Sequence, residues 1–102
     1  MQREIPADIV YEDDHVVAFR DIAPQAPIHI VIVTREETLG LATLPDQGDH
    51  RHLLNATRLV AEKLDLTGGY RLVINQGPDA GQTVPHLHAH LLGGAALGSF
   101  GV

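Results

Sequence analysis

The segment Val84-Pro85-His86-Leu87-His88-Ala89-His90-Leu91-Leu92 carries three of the seven histidines of this 102-residue chain, at alternate positions. Alternation is the side-chain period of a β-strand, in which successive side chains point to opposite faces of the sheet. The pattern predicts a strand over 86–92 with its imidazoles on one face and its leucines and alanine directed into a core. Three imidazoles on one face suit either metal binding or nucleophilic and acid–base chemistry, and the triplet alone leaves both open.

Composition limits the class of protein. A mass of 11.0 kDa with 44% apolar residues fits one globular domain over 1–102. A net charge of −6 argues against a nucleic acid polymer as partner. The absence of cysteine excludes disulfides, cysteine-based zinc sites and a cysteine nucleophile. Residues 1–6 lack the apolar run of a signal peptide and no stretch is long enough to span a bilayer, so we expect a cytoplasmic protein without membrane contact.

The order of elements predicts an α+β fold. Apolar and β-branched runs indicate strands over 9–11, 15–20, 28–33, 70–75 and 86–92, and 35–44 is ambiguous with one short helical turn. The main helix is expected over 49–64, capped by Asp46 or Asp49. Its apolar stripe at helical spacing comprises Leu53, Leu54, Thr57, Val60, Ala61 and Leu64. Because the helix is segregated from the strands, we expect a mainly antiparallel sheet.

A glycine-rich loop over 76–83 precedes the histidines. Its glycines let the backbone approach a ligand and turn N–H groups toward an anion, while Gln82 and Thr83 add neutral donors. Such loops usually only connect strands, but beside three aligned imidazoles this one favours a phosphate over a metal.

Other polar residues have a simple structural interpretation and a functional one. Asp21 is either a turn residue or an acceptor for two vicinal ribose hydroxyls. Phe19 and Ile22 are either core residues or contacts to a base, and His29 either fills the core or orients a neighbouring histidine. We expect the remaining histidines, His15, His50 and His52, and the acidic run 12–14 to lie in solvent.

Taken together, these segments resemble one known family. His86-Leu87-His88-Ala89-His90-Leu91-Leu92 is similar to the H-φ-H-φ-H-φ-φ signature of the histidine triad superfamily, where φ is apolar. Further segments resemble its Hint branch, in order: Glu4-Ile5-Pro6-Ala7, Glu12-Asp13-Asp14, Ala18-Phe19-Arg20-Asp21-Ile22, Pro24-Gln25-Ala26-Pro27-Ile28-His29, Gly69-Tyr70-Arg71, Asn75-Gln76-Gly77 and Gly81-Gln82-Thr83-Val84. His90 distinguishes the chain from the nucleotidyltransferase branch, which has glutamine there.

The resemblance implies a five-stranded antiparallel sheet with one main helix, and a homodimer with a continuous ten-stranded sheet. It implies a hydrolase of purine nucleoside 5′-phosphoramidates, often also active on acyl-nucleotides, with no cofactor. His88 would be the nucleophile, and its second ring nitrogen would need a backbone carbonyl acceptor. The remaining implied roles are ribose binding by Asp21, base contacts by Phe19, Ile22 and Ile5, phosphate contacts by Asn75, Gly81, Gln82, Thr83 and His90, and support of His86 by His29.

The chain departs from the family pattern in three places. It has no Cys-x-x-Cys, so the resemblance implies no zinc, and Thr83 stands where serine is common. The tail over 95–102 lacks the tryptophan that relatives place near the partner's site. Two other classes remain open at this point: a purine nucleotide-binding or scaffold protein with little turnover, and a histidine metalloprotein.

Overall fold

A computed structural model describes residues 8–98. Ile5 and the end of the tail therefore lie outside the described residues. The strands are β1 (Ile9–Glu12), β2 (Val16–Arg20), β3 (Ile28–Thr34), β4 (Tyr70–Val73) and β5 (His88–Gly93), and the main helix is α1 (His50–Lys63). Single 3₁₀ turns occur at Leu41–Thr43, within the ambiguous segment, and at Pro78–Ala80, within the glycine-rich loop.

The strands form one sheet in the order β1-β2-β3-β5-β4, and every neighbouring pair is antiparallel. The predicted α+β fold with five antiparallel strands and one main helix is confirmed. β5 lies between β3 and β4, so its histidines have a strand on either side. Val33 pairs with His88, and Val31 pairs with His90.

The two faces of the sheet have different environments. Ile30, Ile32, Ala89 and Leu91 are completely buried in the cluster that packs against α1. The opposite face carries a smaller apolar cluster and the half-buried His88 and His90. The predicted alternation of β5 is therefore confirmed, since one set of its side chains builds the core and the other set lines an open face.

The start of β5 and the end of β4 differ from the predicted positions. β5 begins at His88 and not at His86, because the His86 N–H bonds to the Val84 carbonyl and the Leu87 N–H bonds to the Thr38 carbonyl. β4 ends at Val73, two residues earlier than predicted.

The helix interpretation needs two corrections. Leu54 is 59% exposed, and Ala56 occupies the buried stripe with Leu53, Thr57, Val60 and Ala61. Asp49 stands at the N-cap position, but its carboxylate makes no capping bond and contacts His15 instead. Among residues 8–98, no helix combines the length and the apolar character needed to cross a membrane.

Candidate active site

His88 lies at the start of β5 on the open face of the sheet. Its Nδ1 is 2.8 Å from the backbone carbonyl oxygen of His86. A carbonyl can only accept, so the hydrogen bond assigns the proton of the neutral ring to Nδ1. Nε2 then carries the free lone pair, which is the state that a nucleophilic histidine requires.

His86 precedes β5, and its ring is held by a hydrogen bond to another strand. Its Nε2 donates to the carbonyl of Thr34 at the end of β3, over 2.7 Å. This bond anchors the segment that supplies the acceptor for His88. The implied support of His86 by His29 is therefore wrong, because the partner of His86 is the Thr34 carbonyl.

His29 instead contacts His90. The backbone N–H of Gln25 donates to His29 Nδ1 over 3.0 Å, which places the proton of the neutral ring on Nε2. His29 Nε2 lies 2.9 Å from His90 Nδ1 and donates to it. His90 must then carry its own proton on Nε2. The network thus makes His90 a neutral ring that presents an N–H donor beside His88, at a centroid distance of 5.2 Å.

The electrostatics of His90 favour this neutral state. Burial lowers the pKa of His90 below its ordinary value of 6.5, and the neighbouring His88 and His29 lower it further. Asp21 opposes the shift, since its Oδ2 lies 4.0 Å from His90 Nδ1. The net direction is downward because desolvation is the largest contribution.

Asp21 lies beside both rings of this pair. One carboxylate oxygen accepts the N–H of Ala23 over 2.8 Å and the other lies 3.5 Å from His29 Nε2. Phe19 packs against the open-face cluster of Val17, Val31 and Val33. Ile22 is 92% exposed and contributes no apolar wall in this conformation. The structure therefore brings Asp21 and Phe19 to the histidine face and leaves Ile22 away from it.

The glycine-rich loop is closed by its own hydrogen bonds. The N–H groups of Ala80 and Gln82 both donate to the Gly77 carbonyl, and that of Gly81 donates to the Pro78 carbonyl. Gly81 has φ of 81°, a left-handed conformation that favours glycine. These three N–H groups are consequently not turned toward an anion, contrary to the expectation from the glycines.

Glutamine side chains tie this loop to the turn at 41–43, which the sequence did not reveal. Gln82 Oε1 accepts the Gly77 N–H over 2.8 Å, and its Nε2 donates to the Leu39 carbonyl over 2.9 Å. Gln76 Oε1 accepts the N–H of Ala42 over 2.8 Å. Gly40 permits the close approach, since a Cβ there would lie 2.7 Å from Gln76 Oε1. The Gln82 side chain thus links Gly77 in the glycine-rich loop to the backbone at Leu39.

Two loop residues keep polar groups available. Asn75 donates one amide proton to the Ala80 carbonyl over 2.9 Å, which leaves its other proton and its oxygen. Thr83 is exposed, and neither its hydroxyl nor its N–H bonds to another residue of the described range. Asn75 borders a cavity of about 380 Å³ on the sheet, lined by His29, Arg71, Val73, His90 and Leu92 among others, whereas Thr83 lines a separate cavity with Gln76 and Gln82.

Asp21, His29 and His90 also offer three donor atoms within 4.8 Å of one another, close enough to be tested as a metal site. The 2.9 Å distance between the two imidazole nitrogens is that of a hydrogen bond with a proton between them. An ion would have to displace that proton and separate the rings. The arrangement fits a hydrogen-bonded network better than a metal centre.

Comparison with known proteins agrees with this geometry. The sequence profile of the HIT domain matches residues 2–97. An uncharacterized HIT-like protein of Synechococcus elongatus is 54% identical over 99 residues, which cover 95% of this chain and 87% of the relative. Adenylylsulfatase HINT1 of Arabidopsis thaliana is 43% identical over 95% of this chain and 69% of its own length. A HIT family hydrolase from Clostridium thermocellum superposes with a TM-score of 0.91 at 41% identity, covering 98% of this chain and 90% of that one. The chain therefore belongs to the HIT domain family.

Proposed function

We propose that this protein hydrolyses purine nucleoside 5′-phosphoramidates through a covalent nucleotidyl intermediate on His88. The observation that carries the proposal is the 2.8 Å bond from His88 Nδ1 to the His86 carbonyl, which leaves Nε2 as an unprotonated nucleophile on an open face. A histidine with a purely structural role in the core would not leave a ring nitrogen without a hydrogen bond at the open face. The relatives support the reaction class, since one is named a hydrolase and another an adenylylsulfatase.

The first chemical step forms the bond between His88 Nε2 and the α-phosphorus and breaks the bond from phosphorus to the leaving amine. His88 becomes cationic as it attacks, and the His86 carbonyl stabilises the proton on Nδ1. The phosphoryl oxygens need donors in the transition state. The Nε2–H of His90, the free amide proton of Asn75 and the hydroxyl of Thr83 are the available groups.

The leaving amine must gain a proton as it departs. The Thr83 hydroxyl can relay this proton from water at the open face, whereas the neutral His90 can only donate a hydrogen bond, because loss of its Nε2 proton would leave an anionic ring. His29 cannot relay a second proton, because its Nδ1 is occupied as an acceptor and loss of the Nε2 proton would leave an anionic ring. We therefore assign His29 the role of positioning His90. In the second step, water attacks the nucleotidyl phosphorus, the bond from phosphorus to His88 Nε2 breaks, and the proton that the water loses passes to solvent as the nucleoside monophosphate is released.

The nucleoside would lie across the open face toward β2. Asp21 keeps one carboxylate oxygen directed to that face and would accept the ribose hydroxyls. Phe19 and the valines of the open-face cluster would contact the base. Ile22 would have to fold over the base on binding, since it is 92% exposed without it.

The direct test is turnover of adenosine 5′-phosphoramidate by the wild type, His88→Ala and the control variant His50→Ala, which replaces a histidine at the start of α1. We expect AMP release by the wild type and His50→Ala, and a loss of at least about a thousandfold in His88→Ala, because the nucleophile is absent. Full activity of His88→Ala would contradict the mechanism. Tight AMP binding without turnover of any phosphoramidate or acyl-adenylate would favour a binding protein instead.

We also propose that two chains pair into a dimer through β4. Within residues 8–98, β4 is an edge strand whose outer side pairs with no other strand, and Tyr70 at its start is 46% exposed. An edge of this kind is a template for pairing with another strand. Light scattering should give twice the chain mass, and a monomeric mass would contradict the proposal.

A further inference from the structure

A second histidine cluster lies away from the triad and joins the turn between β1 and β2 to the first turn of α1. His15 Nδ1 lies 3.1 Å from Asp49 Oδ1, and the rings of His15 and His52 stack with centroids 3.6 Å apart. One donor atom from each of the three residues lies within 4.8 Å of the other two. The expectation that His15, His50 and His52 lie in solvent is therefore wrong, because all three are half-buried and His15 stacks on His52.

Local hydrogen bonds fix the backbone at His15 in the β1–β2 turn and at His52 in α1. Asp13 Oδ1 accepts the N–H of His15 over 2.7 Å and that of Val16 over 2.9 Å, which fixes the turn. In α1 the His52 N–H donates to the Asp49 carbonyl over 2.9 Å. Residues three apart in a helix share one side, so Asp49 and His52 face the turn together.

Carboxylates around the cluster favour a cation, whereas Arg51 in the same cavity and Arg35 at the Asp13 carbonyl oppose it. The carboxylates of Asp13 and Glu36 each bind a backbone N–H of a cluster residue, and Asp49 adds a third carboxylate. The positive end of the α1 dipole opposes a cation, but it carries only about half an elementary charge, less than these carboxylates supply. The non-capping orientation of Asp49 also turns its carboxylate toward His15 and away from the helix N–H groups.

We propose that His15, Asp49 and His52 bind one divalent transition-metal ion such as Zn²⁺, with water completing its coordination. Two imidazoles and a carboxylate form a ligand set that zinc accepts. At bond lengths of about 2.0–2.2 Å the donor atoms of a tetrahedral site lie roughly 3.3 Å apart. His15 Nδ1 and Asp49 Oδ1 already have this separation, and the His52 donor atom must approach them by at most about 1.5 Å.

Binding also requires a change of ring orientation. The two imidazoles are within 4° of parallel, and stacked rings direct their lone pairs side by side instead of toward one point. The rings can turn because the His15 side chain is 43% exposed and the cluster borders an open cavity of about 470 Å³. The ion then replaces the hydrogen bond between His15 and Asp49, which opens more easily than the one between His29 and His90 because the His15 side chain is 43% exposed and the His29 side chain 5%.

The site is independent of the proposed phosphoramidase reaction, because its three residues lie outside the triad face. Its consequence is structural, since the ion would link the β1–β2 turn to α1. A ligand that binds only the folded state raises the melting temperature. We therefore expect zinc to stabilise the chain.

The test is isothermal titration of tag-free, chelator-treated protein with ZnCl₂, using the wild type, His15→Gln and His52→Gln. We expect one zinc ion per chain, and affinity lowered by more than about tenfold in each variant. Leu54→Gln is the control at an exposed position of α1, and His29→Gln tests the Asp21–His29–His90 group. Both controls should bind as the wild type does.

Two further measurements locate the ion. Zinc should shift the ring ¹⁵N resonances of His15 and His52, and should raise the melting temperature of the wild type but not of the two ligand variants. Circular dichroism confirms that each variant is folded. The proposal is overturned if the wild type binds no zinc, if His15→Gln and His52→Gln bind normally, or if either control loses binding to the same extent.

Discussion

Replacing His29 by leucine tests whether His29 sets the state of His90. His29 is 7% exposed and makes one bond to the Gln25 N–H and one to His90 Nδ1. Leucine removes both. Gln25 is exposed, so water can satisfy its N–H and the cost to folding stability should be small. The main effect falls on His90, which loses the donor that selects its Nε2–H form.

The size of the effect follows from that one bond. A hydrogen bond of this kind contributes about 0.5–1.5 kcal/mol, and about 1.4 kcal/mol corresponds to tenfold in rate. We therefore expect the kcat of His29→Leu to fall by about two- to tenfold, with KM little changed. His29→Gln is the matched control, because its neutral amide can still donate to His90 and should retain most of the rate.

The pH profile separates positioning from general damage. His29 is one of the groups that lower the pKa of His90, so its removal lets that pKa rise toward 6.5. His90 then binds a second proton at higher pH, and the acid limb of the plot of log kcat against pH should move to higher pH in both variants. Loss of structure alone would lower kcat without moving the limb.

The assay is initial-rate hydrolysis of an adenosine phosphoramidate with a fluorescent amine, between pH 5 and 8. Circular dichroism and thermal melting check that both variants are folded. A His29→Leu enzyme with kcat within twofold of the wild type and an unmoved acid limb would refute the reasoning.

Three further predictions concern the core, the first turn and the phosphate loop. Leu91→Ala, at a completely buried position, should lower the free energy of unfolding in urea by about 2–5 kcal/mol, whereas Leu54→Ala, at a position 59% exposed, should change it by less than about 1 kcal/mol. Burial raises the pKa of Asp13, but hydrogen bonds from Tyr11 and two backbone N–H groups outweigh this and leave it below 3.8. The stability that Asp13 contributes is thus complete above pH 3.8 and lost as pH falls through the lowered pKa, so Asp13→Asn should cost about 1 kcal/mol at pH 7 and nothing in strong acid. Thr83→Val should lower kcat by about tenfold, and Thr83→Ser should restore it.

Equal unfolding free energies for the leucine variants would show that Leu91 is not central to the core. A stability gap between wild type and Asp13→Asn that persists at pH 2 would contradict the role of the Asp13 carboxylate. Thr83→Val with the rate of the wild type would remove its hydroxyl from the mechanism.

The elements of this fold could be predicted because their signals are local. The alternation of His88, Ala89 and His90 gives the two faces of β5, since the period of two is a property of any strand. The β-branched run in β3 and the periodic apolar residues of α1 are similarly local. The prediction that Leu54 is buried is wrong because helical periodicity allows a wider apolar stripe than the one that is buried. Only the packing of α1 on the sheet shows that Ala56 is buried and Leu54 exposed.

The hydrogen-bond partners of the histidines could not be predicted from local sequence patterns. His29 and His90 are separated by 61 positions, and they meet because β5 inserts between β3 and β4. His15 and Asp49 are 34 positions apart and meet because α1 starts beside the first turn of the sheet. Local periodicity shows which face a side chain occupies, whereas hydrogen-bond partners depend on which strands become neighbours. Residues 84–92 alone thus predicted three histidines on a strand, and the tertiary contacts placed the proton on Nδ1 in His88 but on Nε2 in His86 and His90, and gave each ring a different partner.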